Sequence, residues 1–136
     1  MSLSLSLGCR NGLANTQGFR EMFDGGTLKI FTGDSPGVEY GATGTEIAAI
    51  ASVSLGSAGT GGVSIRQTCV IVETGTAGYF RLSMAGHSPY ANANGTAGRA
   101  DGVCGVSEGS CDLLLPELAL DADDLLNITG TFTIPA

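Results

Sequence analysis

The sequence predicts an all-β chain: a single-domain β-sandwich, jelly-roll-like, with one short N-terminal helix. Three observations predict it. Apolar residues recur with period two in several short runs, the spacing of half-buried strands. The runs are separated by Gly, Pro, Asn and Asp punctuation, and 22 glycines occur without a triplet repeat, so they mark turns and bulges, not a fibre. A length of 136 residues fits one domain with a real core.

The chain opens on Met1-Ser2-Leu3-Ser4-Leu5-Ser6-Leu7, where Leu and Ser alternate. The pattern predicts an extended segment with one apolar edge. Residues 1–9 are therefore expected to form an N-terminal arm, lying on a partner or serving as an edge strand of the domain's own sheet, with the β-sandwich spanning 10–136. Asn15-Thr16 can cap a short helix through Phe23 that Asp24-Gly25-Gly26 would stop. Leu28 to Thr32 reads as a strand ending in the turn Gly33-Asp34-Ser35-Pro36-Gly37. Glu46 to Leu55 alternates cleanly through Ile47, Ala49, Ala51 and Val53, so it is expected as one strand despite its alanines. Val63 to Glu73 follows, with Gly75 to Met84 as its hairpin partner. Ala85 to Arg99 reads as a surface loop, and Asp101 to Val106, Cys111 to Leu115 and Leu125 to Ile134 supply the last strands.

Composition narrows function by exclusion. The formal net charge of −7 and pI near 4.3 offer no basic patch, so binding to nucleic acid is not expected. No apolar run reaches the roughly 18 residues that cross a bilayer, and the acidic balance disfavours an anionic membrane face. The N-terminus lacks a basic segment followed by a continuous apolar one, so synthesis in a cytoplasm without a secretory leader is expected. Charged residues make up only 14% of the chain. That is well under the roughly 25% of typical soluble domains, and a poorly charged surface usually meets another molecule.

The chemical inventory is sparse. Cys9, Cys69, Cys104 and Cys111 are scattered instead of paired as thiolate metal sites require, so no metal and no other cofactor is expected. In a reducing compartment they read as small buried hydrophobes, with a pairing of Cys104 and Cys111 across a turn left open. His87 is the lone histidine, in a polar loop before Pro89, and no G-x-S-x-G elbow accompanies it. Asp121, Asp123 and Asp124 lack the framework and closing Glu of a calcium loop and read as a solvated turn. Glu73, Asp112 and Glu117 could be paired as glycosidase carboxylates only without the stacking tryptophans such sites use. Gly59-Thr60-Gly61-Gly62 lacks the Lys-Ser/Thr of a phosphate loop. Asn94-Gly95-Thr96 and Asn127-Ile128-Thr129 match a glycosylation acceptor that matters only on a secretory route. The expectation is a protein without catalytic, cofactor or metal residues.

Arg10-Asn11, Gly25 through Pro36, Gly44-Thr45, Gly75 through Arg81 and the alternating run Asn127 through Ile134 form a pattern over nearly the whole chain. In that pattern the chain resembles a family of small β-rich virion proteins of tailed bacteriophages, and most resembles capsid cement or decoration proteins. Departures fall in Ala85 to Val106, where the family has a shorter turn, and in the Ser-Leu N-terminus.

The resemblance implies a structural protein on the outer surface of an HK97-type capsid shell, made in the host cytoplasm, with the major capsid protein and copies of itself as partners. A homodimer about a capsid two-fold axis would be the simplest self-contact. Leu3, Leu5 and Leu7 are the expected capsid-contact residues. A tail or head-to-tail joining component is the alternative within the particle. A carbohydrate-binding module or enzyme on the same architecture is a third reading, with Tyr79, Tyr90 and His87 as its test positions.

Overall fold

The computed structural model describes residues 3–15, 18–57, 62–93, 98–107 and 111–133. The elements in chain order are β1 (Ser4–Leu5), α1 (Leu7–Asn15), α2 (Phe19–Phe23), β2 (Thr27–Phe31), β3 (Glu46–Ile50), β4 (Leu55–Ser57), β5 (Gly62–Val70), β6 (Gly75–Thr76), β7 (Tyr79–Ser83), β8 (Arg99–Gly105), β9 (Leu113–Leu114), β10 (Ala119–Leu120) and β11 (Leu125–Thr133). The all-β class stands, with two short helices among the described residues instead of one.

Among the described residues, nine strands join one curled sheet in the order β3-β2-β7-β8-β9-β11-β5-β4, with β1 added beside β8. Neighbours run antiparallel except β8 and β9, which are parallel. β6 and β10 form a separate two-stranded ribbon. The curl brings the far ends together: Ala48 of β3 bridges Ile71 just after β5, and Val72 donates its N–H to the Ile47 carbonyl at 2.9 Å. Both halves of the sheet therefore wrap one core. Leu28, Ile30, Phe80, Leu82 and Ala100 from one half meet Ile65, Leu113, Leu126 and Ile128 from the other. Period-two strands with one apolar face leave few other ways to exclude water.

Of the two readings of the N-terminal segment, the described residues take the edge strand of the domain's own sheet and not the arm laid on a partner. Ser4 and Leu5 pair with Asp101 and Ala100 of β8, Leu3 is 4% exposed, and Leu5 packs against the core. The expected boundary after residue 9 falls inside α1, which begins at Leu7 and takes over where the alternation seemed to continue. The Ser6 hydroxyl explains the switch: it accepts the Cys9 N–H at 3.2 Å, the geometry of a helix-capping side chain. The helix expected through Phe23 is present as α2, but its cap is Gly18, not Asn15.

Two strand expectations change as well. Glu46 to Leu55 is two strands, because Val53 leaves the β3 line to exchange backbone hydrogen bonds with Gly25 and Gly26. β7 is not the hairpin partner of β5. It lies between β2 and β8, while β5 pairs with β11 and β4. Gly78 makes that placement close-fitting, since a methyl on it would run into the Gly33 carbonyl.

Candidate functional site

A strand with one wet face would bury Phe80 and Leu82 and expose Tyr79, Arg81 and Ser83. In β7 all five residues are buried. The face opposite the core is covered by two loop segments, 32–45 and 84–93, and beneath them lies a second, polar and aromatic layer.

Three strands build this layer. β7 contributes Tyr79 and Arg81, β2 contributes Lys29 and Phe31 directly opposite them, and β8 contributes Arg99 and Asp101. Phe31 stacks on Tyr79 with ring centroids 5.1 Å apart, and Tyr90 from the second loop meets Phe31 edge-on at 5.9 Å. These contacts use the ring edges and faces in their preferred offset and T-shaped arrangements. The Tyr79 hydroxyl donates to the Thr43 carbonyl at 2.7 Å and accepts the Thr43 N–H at 3.1 Å, fastening the first loop. Burial pushes its pKa up.

Arg81 is fully buried, and each of its five N–H donors has an acceptor. Nε and Nη2 grip the two Asp101 oxygens at 2.7 and 2.9 Å. Nη1 donates to the Tyr40 and Pro89 carbonyls at 2.6 and 2.8 Å, and Nη2 also donates to the Gly37 carbonyl at 3.0 Å. Arg99, 2% exposed, donates to the carbonyls of Val38, Tyr40, Ser88 and Ala91. Both guanidinium groups thus reach both loops, and the Tyr40 carbonyl is shared between them. The Ser35 hydroxyl donates to the second Asp101 oxygen. Burial, with the Arg81 charge beside it, lowers the Arg99 pKa.

The layer extends outward to solvent. Lys29 pairs with Glu46 at 2.8 Å and lies 5.3 Å from the centre of the Tyr90 ring, while the Tyr90 hydroxyl donates to the same Glu46 oxygen. Burial and the Glu46 contact raise the Tyr90 pKa to about 12. Burial alone would raise the Glu46 pKa, but hydrogen bonds from Lys29 and Tyr90 and the Lys29 charge bring it below the usual value. Tyr40 and Tyr90 are the large exposed side chains of the two loops. Glu39 ties the assembly to the N-terminal segment, where its carboxylate accepts the Leu7 N–H at 2.7 Å and its carbonyl accepts the Ala93 N–H.

The chemistry available here is restraint. Asp101 has both oxygens engaged by Arg81 and Ser35, and the arginines hold backbone, so the cluster presents a fixed surface and offers no idle base. Of the residues singled out from sequence, His87 sits in the second loop, and its imidazole makes no hydrogen bond among the described residues. Tyr79 lies too deep at 2% exposure to stack on a sugar. Asp121, Asp123 and Asp124 form an exposed turn, and Asp112 is buried, accepting the Val103 N–H at 3.0 Å. No three His, Cys, Asp or Glu side chains converge on a metal-sized space among the described residues. Gly59 to Gly61 and Asn94 to Thr96 lie outside the described residues. Leu3 is buried and Leu5 is partly buried against the core, and Leu7, 45% exposed, is the most accessible member of the expected contact set.

Arg81, Arg99 and Asp101 carry the site; in the sequence Arg81 stands out only as the end of a strand motif, and Arg99 and Asp101 only as the ends of a loop and a strand. A signal existed for one of them: Arg81 lies in an alternating strand segment of a chain with only six basic residues, whereas Arg99 reads as the end of a loop. No protein-family model matches the chain, and comparisons with curated proteins and with solved structures return no match.

Proposed function

We propose that this chain is a non-catalytic structural protein of a tailed-phage particle, docking on the outer surface of an HK97-type capsid shell and stabilising it. One observation carries the reading. The largest buried charged cluster in the described structure is devoted to fixing the shape of two surface loops, an arrangement suited to a rigid contact surface. The residues of the virion-protein pattern support it further, because several are parts of this clamp. Gly33 and Gly78 pack the loop start against β7, Gly44 abuts the Thr32 carbonyl, and Arg81 is the clamp itself.

A protein that binds only the assembled lattice stabilises it by mass action, and many copies share the load. A surface with few charges and the exposed rings of Tyr40 and Tyr90 suits such docking. The test is to purify particles from cells producing this chain, count its copies by quantitative mass spectrometry and locate it by cryo-electron microscopy. Hundreds of copies on the shell are expected. A single ring of copies would assign it to the tail or the head-to-tail joint, and its absence from particles would end the proposal.

A further inference from the structure

Ser6 does more than cap α1. It is 0% exposed and closes on Arg99: its N–H donates to the Arg99 carbonyl at 2.9 Å, and its hydroxyl accepts the Arg99 N–H at 3.0 Å. Arg99 is the first residue of β8, and strand ends are where a sheet opens most readily. One buried serine therefore fixes the backbone from which the Arg99 guanidinium reaches up. That guanidinium holds two carbonyls in each loop segment, Val38 and Tyr40 in the first and Ser88 and Ala91 in the second. A shift of Arg99 loosens all four bonds together.

The next residue grips the same cover from the side. The Leu7 N–H donates to the Glu39 carboxylate at 2.7 Å, and Glu39 stands between the two carbonyls that Arg99 holds in the first segment. Its own carbonyl accepts the Ala93 N–H at 2.8 Å, and the Ala42 N–H donates to the Pro89 carbonyl at 2.9 Å, so these two bonds stitch one segment to the other. The far half of the sheet uses none of these contacts. There β5 and β11 pair along their full length, and the Ala48–Ile71 bridge closes the curl.

We propose that Ser6 and Leu7 form a latch that sets whether segments 32–45 and 84–93 lie closed over β7 and β8. The latch governs the order of the surface that carries Tyr40 and Tyr90, the large exposed side chains of the two segments. When the N-terminal segment is drawn away, the Arg99 N–H loses its acceptor and Glu39 loses its tie, and the two stitching bonds open while β5 and β11 stay paired. Such coupling is reciprocal. Whatever grips the closed surface also holds the N-terminal segment down, and whatever draws that segment away frees the surface. The inference does not rest on the capsid reading, since it concerns the isolated chain.

The test is amide hydrogen exchange of the full chain, followed residue by residue by NMR. Ser6→Ala and Glu39→Ala should each speed exchange at the Ala42 and Ala93 N–H groups at least tenfold, with the amides of β5 and β11 as slow as in the wild type. Glu39→Gln keeps an acceptor for Leu7 and should behave as the wild type. Ile65→Val removes one methylene from the core on β5 and measures what general destabilisation alone does to the same two amides. In the reverse direction, Arg99→Lys, which cannot span four carbonyls, should speed exchange at the Ser6 N–H. The proposal is overturned by Ala42 and Ala93 amides that stay protected in Ser6→Ala and Glu39→Ala, by acceleration no greater than in Ile65→Val or spread evenly through β5 and β11, or by a Ser6 amide that Arg99→Lys leaves unmoved.

Discussion

Arg81 and Asp101 face each other as direct partners on β7 and β8 and form a two-pronged ion pair on the sheet face that points away from the main core. Around this pair the molecule builds a second buried layer, with two loops as its roof. A buried pair of this kind gains little over an apolar replacement of the same shape, but removing one partner strands a charge out of water and costs about 3–5 kcal/mol. Asp101→Ala and Arg81→Ala should each lower stability by about that amount in urea denaturation. Arg81→Lys should recover little of it, because an ammonium cannot span both Asp101 oxygens and three carbonyls.

The Lys29–Glu46–Tyr90 contact gives stability a pH signature at both ends. Glu46 has a folded pKa below its ordinary value of 4.5, so its contribution is complete above that pH and is lost as pH falls through the lower folded value. Glu46→Gln should flatten the acid limb of the stability curve. Tyr90 has the opposite displacement, from 10 to about 12, so its contribution is complete below pH 10 and disappears as pH rises toward 12. Absorbance titration near 295 nm should show a late-ionising tyrosine that Tyr90→Phe removes.

Burial places the thiols beyond easy chemistry. The Cys9 pKa is raised to about 11 and that of Cys104 to about 12, chiefly by desolvation, and all four cysteines are free. A thiolate-specific reagent at pH 8 should therefore modify the native chain at Cys111 or Cys69, which are half-buried, well before Cys9 and Cys104. Full labelling should track unfolding. Rapid modification of Cys104 in the folded chain would contradict its placement.

Glycine substitutions separate packing from conformation. Gly78→Ala drives a methyl into the Gly33 backbone and should cost at least ~2 kcal/mol, because neither backbone segment can yield without disturbing β2 or β7. Gly18→Ala meets nothing within 4 Å and has ordinary dihedrals, so its effect on thermal stability should be within about 1 kcal/mol.

Removal of residues 1–6 tests the corrected N-terminus. Because Leu3 is in the core and the Ser6 hydroxyl accepts the Arg99 N–H at 3.0 Å, truncation should lower the unfolding midpoint of the isolated chain. A detachable arm would leave that midpoint unchanged.

Period two and glycine punctuation determined on their own that this chain would be all-β, and they located most strands to within a few residues, since side-chain alternation and turn dihedrals are local properties of the chain. Partner choice is not local. Val63 to Val70 and Tyr79 to Ser83 read as neighbours in sequence, yet tertiary structure pairs the first with β11 and the second with β2 and β8. The same limit hid the clamp. Arg81 alternates as an outward residue should, and it does point away from the core. Only the folding of segments 32–45 and 84–93 over that face buries it, because their carbonyls and Asp101 replace the water its guanidinium would otherwise hold.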